Sequence, residues 1–151
     1  MSRFKMILVI LACLVSSQIP AAETNEIDLD NLLAEKKAMI EENLPLNQQE
    51  KQAFWSLYDE YMKDVVKLFK RRTLLSRRFM KLQENFNDKQ AKEIIEEHFK
   101  IVDESVKVQK SMLARLRKKL PEKKVIRFFQ IELKTEAGLF YFLSENIPLI
   151  K

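Results

Sequence analysis

Apolar residues recur at helical spacing in four segments of the chain. A short amphipathic stretch from about Asp28 to Glu42 is followed by a long one from about Gln48 to Glu84. Two more run from about Asp88 to Lys119 and from Pro121 to Asn146. Apolar positions that return every three or four residues are typical of helices with one buried face. The pattern therefore predicts four helices.

The two central helices carry regular apolar stripes. In the second helix the stripe is interrupted at Arg72, and it consists of Phe54, Tyr58, Tyr61, Val65, Leu68, Leu75, Phe79 and Leu82. In the third it is interrupted at Gln109, and it consists of Ile95, Phe99, Val102, Val106, Leu113, Leu116 and Leu120. A repeat near 3.5 residues favours side-by-side packing of long helices. Because the connection at 85–87 is short, these helices are predicted to pair as an antiparallel hairpin.

Polar residues and prolines mark the helix ends. Asn47 with Glu50, and Asn87 with Gln90, have the spacing of capping boxes. Pro121 suits the first turn of the fourth helix. That helix is apolar around much of its circumference, so it is expected to need cover on more than one side.

Glycine is almost absent, which argues against a strand-rich fold. The chain has one glycine in 151 residues, and the tight turns of sheets usually depend on glycine at positive φ. The predicted fold class is therefore all-α: a long antiparallel helical hairpin with a short N-terminal helix and an apolar C-terminal helix.

The N-terminal residues have the three parts of a secretory signal peptide. Two basic residues precede an apolar run from Met6 to Val15, and small residues ending at Ala22 close the segment. The run is about half of the ~20 residues that a membrane-spanning helix needs. We expect residues 1–22 to be a signal peptide, cut after Ala22 or one residue earlier, and residues 23–151 to form a single helical domain. An uncleaved membrane anchor is the alternative.

Cys13 is the single cysteine. Leu11-Ala12-Cys13 loosely resembles a lipid-attachment sequence, so lipidation of Cys13 stays open, although apolar residues continue after it. If cleavage follows Ala22, the mature chain has no thiol and cannot form disulfides in an oxidising compartment. Its stability must then come from packing.

The sequence shows no catalytic constellation. His98 is the single histidine, and it is interpreted as a solvated or core-edge residue of the third helix. With one histidine and no mature cysteine, no tight zinc or copper site is expected. A glycine-rich phosphate loop is also missing. The predictions are no enzyme activity, no cofactor and no metal.

Basic residues cluster in two places. Between Val65 and Gln83 there is no acid and there are seven basic residues, Lys67, Lys70, Arg71, Arg72, Arg77, Arg78 and Lys81. In the predicted hairpin they would face acids between Ala91 and Ser105. They either form interhelical ion pairs with these acids or offer a surface to an acidic partner or anionic lipid. The second cluster surrounds Pro121 and exceeds what the end of the third helix requires. It contains Arg115, Arg117, Lys118, Lys119, Lys123, Lys124 and Arg127.

The overall charge is mild. The chain has 27 basic and 22 acidic residues, and two of the basic ones lie in the predicted signal peptide. This balance does not indicate nucleic-acid binding. The large apolar residues, however, exceed what one hairpin can cover, which predicts a protein-binding surface. Its candidate residues are Trp55, Tyr58, Met62, Arg117, Lys118, Lys123, Lys124, Phe128 and Phe129. The alternative is that the fourth helix packs on the hairpin and leaves nothing to bind.

Two short segments carry a family resemblance. Leu46-Asn47-Gln48-Gln49-Glu50 and Phe86-Asn87-Asp88-Lys89-Gln90 resemble degenerate copies of the LTxxQ motif, which opens two helices in the Spy/CpxP family of periplasmic stress proteins. Asparagine replaces threonine at the cap position and keeps its function. The shared layout of signal peptide and helical hairpin covers about residues 1–120.

The resemblance implies a periplasmic, ATP-independent chaperone or envelope-stress accessory, usually a homodimer, that binds unfolded or membrane-associated client proteins. Metal-sensing relatives use His-rich or Met-rich sites, which this chain lacks. The alternative function is a regulatory partner of an envelope sensor or signalling protein.

Overall fold

The computed structural model describes residues 28–82 and 85–145, together with residues 147 and 149. These residues form four helices and no strand: α1 (Leu29–Asn43), α2 (Gln48–Leu82), α3 (Asp88–Leu116) and α4 (Glu122–Glu145). The predicted all-α fold is confirmed. The predicted signal peptide at 1–22 lies outside the described residues, as do the expected ends of the second and fourth helices at Glu84 and Asn146.

Side-chain caps begin the two long helices of the hairpin. The Asn47 side chain accepts a hydrogen bond from the Glu50 N–H at 2.9 Å, and the Glu50 carboxylate accepts one from the Asn47 N–H at 2.8 Å. Asn87 and Gln90 repeat this arrangement at 2.9 and 3.1 Å. Both predicted capping boxes are therefore present, and each satisfies two N–H groups that a helix start leaves free.

The third helix ends earlier than predicted. It stops at Leu116 rather than Lys119, and residues 117–119 form a turn. The Leu120 N–H still donates to the Leu116 carbonyl at 2.8 Å, which closes this turn. Pro121, which has no N–H to continue the helix, immediately precedes α4.

The helices α2 and α3 run in opposite directions. Near the start of α2, Glu60 binds Arg115 at 2.6 Å, and near its end Arg78 binds Glu93 at 2.5 Å. Partner numbers therefore fall along α3 as they rise along α2, which is the antiparallel order expected from the short connection.

The helices α1 and α4 pack against the half of the hairpin that lies farthest from its turn. Phe54 of α2 and Phe128 of α4 meet edge to face, with ring centroids 5.5 Å apart. The Arg127 side chain of α4 donates to the Asn43 carbonyl at the end of α1 at 2.6 Å. This region, the packed end, has a core of Ile40, Leu44, Phe54, Tyr58, Tyr61, Met112, Leu116, Leu120, Val125, Phe128 and Ile131. Residues 73–82 and 85–100, at the other extremity, are termed the hairpin tip.

The prediction of which side of α3 is buried against α2 is wrong for the first half of α3. Ile94 and Ile101 are the buried residues, whereas Ile95 and Phe99 are 58% and 59% exposed. Neighbouring residues of a helix point about 100° apart. The helix is therefore rotated by roughly one residue from the predicted seam, and the predicted stripe becomes buried again at Leu116.

Candidate protein-binding surfaces

Two aromatic residues of the predicted binding surface are core residues instead. Tyr58 and Phe128 are buried, and their ring centroids lie 6.4 Å apart. Tyr58 also stacks on Phe54 at 5.6 Å, and burial is the main cause that raises its pKa. These rings cannot contact a partner in this structure, because Phe128 of α4 packs against the aromatic residues of α2 and covers them.

The other three apolar candidates are half-buried at the edge of this core. Trp55, Met62 and Phe129 keep only part of their surface exposed. Lys37 of α1 places its ammonium group 5.1 Å from the Trp55 ring centroid, so a cation already covers part of that ring. The apolar residues of the predicted surface thus mostly serve to hold α1, α2 and α4 together.

A buried carboxylate also joins these three helices. Glu132 of α4 is 5% exposed, and its Oε2 accepts hydrogen bonds from the Tyr61 hydroxyl at 2.7 Å and from Lys36 Nζ at 2.8 Å. Burial, followed by the negative charge of Glu132, raises the pKa of Tyr61. The other oxygen, Oε1, has no hydrogen-bond partner among the described residues. Sequence reasoning missed this group, although an acid between Ile131 and Leu133 in an apolar helix is a signal that could have found it.

The two polar interruptions of the hairpin stripes are contacts to α4. The Arg72 guanidinium lies 4.2 Å from the Phe140 ring centroid, and burial lowers the pKa of Arg72. Gln109 of α3 donates to the Glu136 carboxylate at 2.8 Å. The two polar residues that interrupt the apolar stripes of α2 and α3 therefore lie where α4 packs on the hairpin.

Ion pairs absorb part of the basic segment of α2. Arg71 binds Glu97 at 2.8 Å and also binds Glu104, and these hydrogen bonds raise its pKa. Arg78 binds Glu93 and lowers the pKa of that carboxyl. The interhelical interpretation thus accounts for Arg71 and Arg78. Three lysines of the segment, Lys67, Lys70 and Lys81, are exposed.

The basic cluster around Pro121 contains residues that have partners within the chain and residues that form no ion pair. Four of its seven members have partners within the chain: Arg115 with Glu60, Arg117 with Glu122, Lys124 with Glu50, and Arg127 with the Asn43 carbonyl. Lys118, Lys119 and Lys123 are exposed and form no ion pair within the described residues. Of the four predicted basic site residues, Lys118 and Lys123 are therefore available to a partner, whereas Arg117 and Lys124 are already used.

Two exposed apolar residues of α4 follow these lysines in the sequence. Ile126 is 50% exposed and Leu133 is 47% exposed. Because seven residues make almost two full turns, both project from the same side of the helix. Together with Lys118, Lys119 and Lys123 they are termed the α4 surface.

A second exposed apolar strip follows α3 toward the hairpin tip. Ile95, Phe99, Val102 and Val106 form it, and they are spaced by four, three and four residues. Three of them are exposed, and Val102 is half-buried. This set is termed the α3 strip.

Few polar side chains converge in the described part of the chain outside its ion pairs and the Lys36–Glu132–Tyr61 contacts. No three histidine, cysteine or acidic side chains come together there in a way that could hold a metal ion. His98 is exposed, with its ring against Phe99. A groove of about 310 Å³ lies between α2 and α3, and its lining includes the Glu60–Arg115 ion pair. No helix of residues 28–82 and 85–145 is both long and apolar enough to span a membrane.

No family model matches the chain, and no curated protein or solved structure matches it either. The fold and its surfaces define a class: a small all-helical protein with apolar residues exposed beside unengaged lysines. Its function is therefore argued from these surfaces.

Proposed function

We propose that this chain is an exported, ATP-independent chaperone or envelope-stress accessory that binds non-native proteins at the α4 surface. The observation that carries the proposal is the exposure of Ile126 and Leu133 on one side of a helix whose other side places Val125, Phe128 and Ile131 in the core. Apolar groups left in water next to charge are typical of surfaces that bind other proteins.

The composition of this surface suits a partner that is not folded. Unfolded chains expose apolar side chains, and these can replace the water around Ile126 and Leu133. Lys118, Lys119 and Lys123 attract acidic segments at long range before the apolar contact forms. Such a surface recognises a general property of unfolded chains and needs no nucleotide.

The compartment and the stress role rest on the sequence. The three-part N-terminal segment supports export, and the LTxxQ-like capping segments support a Spy/CpxP-like role. A chaperone of this kind is a binding protein without a catalytic step.

The test is the protection of unfolded clients. The purified protein should suppress aggregation of several unrelated clients at near-stoichiometric ratio without nucleotide. Ile126→Glu combined with Leu133→Glu should remove most of this protection, because two carboxylates replace the apolar contact. The matched control is Leu74→Glu, which changes a residue of α2 that is 62% exposed and should leave protection intact.

The lysines are tested by charge reversal. Lys118→Glu, Lys119→Glu and Lys123→Glu together should weaken protection and reduce its dependence on salt. The control reverses three exposed lysines of α2, Lys67, Lys70 and Lys81. Arg117 and Lys124 are left unchanged because their reversal would break ion pairs within the chain. Protection of no client, together with tight binding of one envelope protein, would replace the chaperone proposal by the regulatory one.

A further inference from the structure

The outer side of α2 carries a line of basic residues. It consists of Lys67, Lys70, Leu74, Arg77 and Lys81, which are all exposed and are spaced by three, four, three and four residues. Steps of three and four residues keep side chains on one side of a helix. These five residues, termed the α2 stripe, therefore form a single line of about 21 Å at ~1.5 Å per residue.

The α2 stripe lies on the side of the helix opposite the core. Lys67 comes nine residues after Tyr58, and Lys70 comes nine residues after Tyr61. Nine residues make two and a half turns, so each lysine projects from the side opposite its tyrosine. Both tyrosines are buried among the residues of the packed end. The stripe is therefore turned toward solvent.

Acidic residues of the fold do not neutralise the stripe. The sequence contains no acid between its first and last residue. The acids that α3 brings toward α2 are bound by other residues, since Arg71 binds Glu97 and Glu104, and Arg78 binds Glu93. The three lysines of the stripe form no ion pair within the described residues. Their positive charge is thus available to an anionic surface.

We propose that the α2 stripe binds the surface of a bilayer rich in anionic phospholipid, with Leu74 inserted at the boundary between head groups and acyl chains. A row of cations on the outer side of a helix can meet a flat anionic surface along its whole length. Leu74 is 62% exposed in the middle of this row, where it adds an apolar contact. Lysine side chains suit this boundary because their aliphatic stems lie in apolar surroundings while the ammonium groups reach the phosphates.

The exposed side of α3 lacks this arrangement. Lys100 and Lys107 are exposed there, but Glu96 and Asp103 are exposed beside them. Acids placed between lysines cancel most of the attraction to an anionic surface. Of the two hairpin helices, α2 therefore presents the side whose charge has a single sign. The inference concerns a surface other than the α4 surface and does not depend on the proposed chaperone role.

Cosedimentation with lipid vesicles tests the proposal. The purified protein should bind vesicles that contain phosphatidylglycerol more tightly than vesicles of phosphatidylcholine alone, and the difference should shrink as the salt concentration rises. The N-terminal apolar run from Met6 to Val15 would bind both kinds of vesicle alike, so the difference between them reports the stripe. Equal binding to both kinds would overturn the proposal.

Charge reversal locates the binding surface. Lys67→Glu, Lys70→Glu and Lys81→Glu together should weaken binding to the anionic vesicles by at least about 100-fold, because each basic residue near such a surface contributes about fivefold. The same triple variant should still protect unfolded clients, which separates this proposal from the proposed function. Anionic vesicle binding that survives the triple reversal would overturn the proposal.

The matched control reverses three exposed lysines of α3. Lys100→Glu, Lys107→Glu and Lys110→Glu change the net charge by the same amount as the α2 reversals, and all three residues are exposed. This control should weaken vesicle binding much less. An equal loss in the two triple variants would show that binding follows net charge alone, and the stripe would then have no part in it.

The apolar contact is tested without a change of charge. Leu74→Gln should weaken binding to the anionic vesicles about fivefold, because it removes the inserted side chain. Ile95→Gln is the control, since Ile95 is 58% exposed on α3 and lies outside the stripe. Circular dichroism confirms that each variant is folded. Binding unchanged by Leu74→Gln, or tight binding of poly-glutamate by a protein that ignores anionic vesicles, would overturn the proposal, the latter in favour of an acidic protein partner.

Discussion

The packed end and the hairpin tip are built from the same two helices but are stabilised in different ways. At the packed end, α1 and α4 cover the hairpin and bury rings such as Phe54 and Phe128 completely. At the tip, α2 contacts α3 through the Arg78–Glu93 ion pair, and it contacts the connection before α3 through the Phe79–Phe86 ring contact at 5.2 Å. Apolar residues there, including Phe99, remain in solvent.

This difference shows where the free energy of folding comes from. Burial of aromatic and aliphatic surface provides most of the free energy of folding, so the packed end must supply the larger share. Exposed ion pairs contribute little, and two helices without further cover bury few side chains on both sides. Apolar groups at the tip are therefore exposed at little cost to the stability of the fold.

The largest expected difference concerns aromatic truncation. Phe54→Ala should lower the free energy of unfolding by about 3–5 kcal/mol, because it leaves a cavity among closely packed rings. Phe99→Ala should change it by less than about 0.5 kcal/mol, since more than half of the surface of this residue is already in water. Urea unfolding at low protein concentration measures both. Equal losses would show that the tip ring is as buried as the core ring.

Removal of the buried carboxylate should have the next largest effect. Glu132→Ala leaves the Lys36 ammonium and the Tyr61 hydroxyl buried without their acceptor, so we expect a loss of about 3 kcal/mol. Replacing all three polar groups together, by Lys36→Met, Tyr61→Phe and Glu132→Leu, should restore most of it because no polar group is then left unpaired. Thermal or urea unfolding gives the comparison, and a triple variant less stable than Glu132→Ala would contradict it.

The two helix caps compare the regions directly. Asn47→Ala at the packed end should lower global stability by about 1 kcal/mol, the usual value for loss of an N-cap. Asn87→Ala, at the tip, should instead increase local opening of the first turn of α3 and change global stability less. Amide hydrogen exchange distinguishes local from global opening. Equal effects on global unfolding would indicate that the tip does not open independently.

The smallest expected effects concern acid. The hydrogen bond from Lys124, followed by that from the Asn47 N–H, lowers the pKa of Glu50, and Arg78 lowers that of Glu93. A carboxyl whose pKa is lower in the folded state stabilises the fold above its unfolded pKa, and this contribution disappears as the pH falls through the folded pKa. Stability should therefore decline modestly below about pH 4. Glu50→Gln and Glu93→Gln should each flatten that decline in unfolding curves recorded from pH 7 to pH 3.

Local signals in the sequence predicted the helices and their starts correctly. Asn47 and Asn87 cap α2 and α3 because an asparagine side chain satisfies the free N–H groups of a first turn whatever lies around it. Pro121 separates α3 from α4 because it cannot donate the hydrogen bond that a continuous helix requires. The stripe of Phe54, Tyr58 and Tyr61 also faces the core as predicted, since α2 has one dominant apolar face there.

Which surfaces meet was decided by the tertiary structure. On α3 the apolar residues lie on two neighbouring faces, one with Ile94 and Ile101 and one with Ile95 and Phe99. The periodicity cannot rank them, because the choice depends on how α2 and α4 fit around the helix. In the same way, Tyr58 and Phe128 could have lined a surface or a core. The sequence by itself determined that these residues must leave water. That they cover one another was decided only by the packing of the helices. The reason is that Tyr58 is buried by a side chain of α4, Phe128, which lies 70 residues further along the chain.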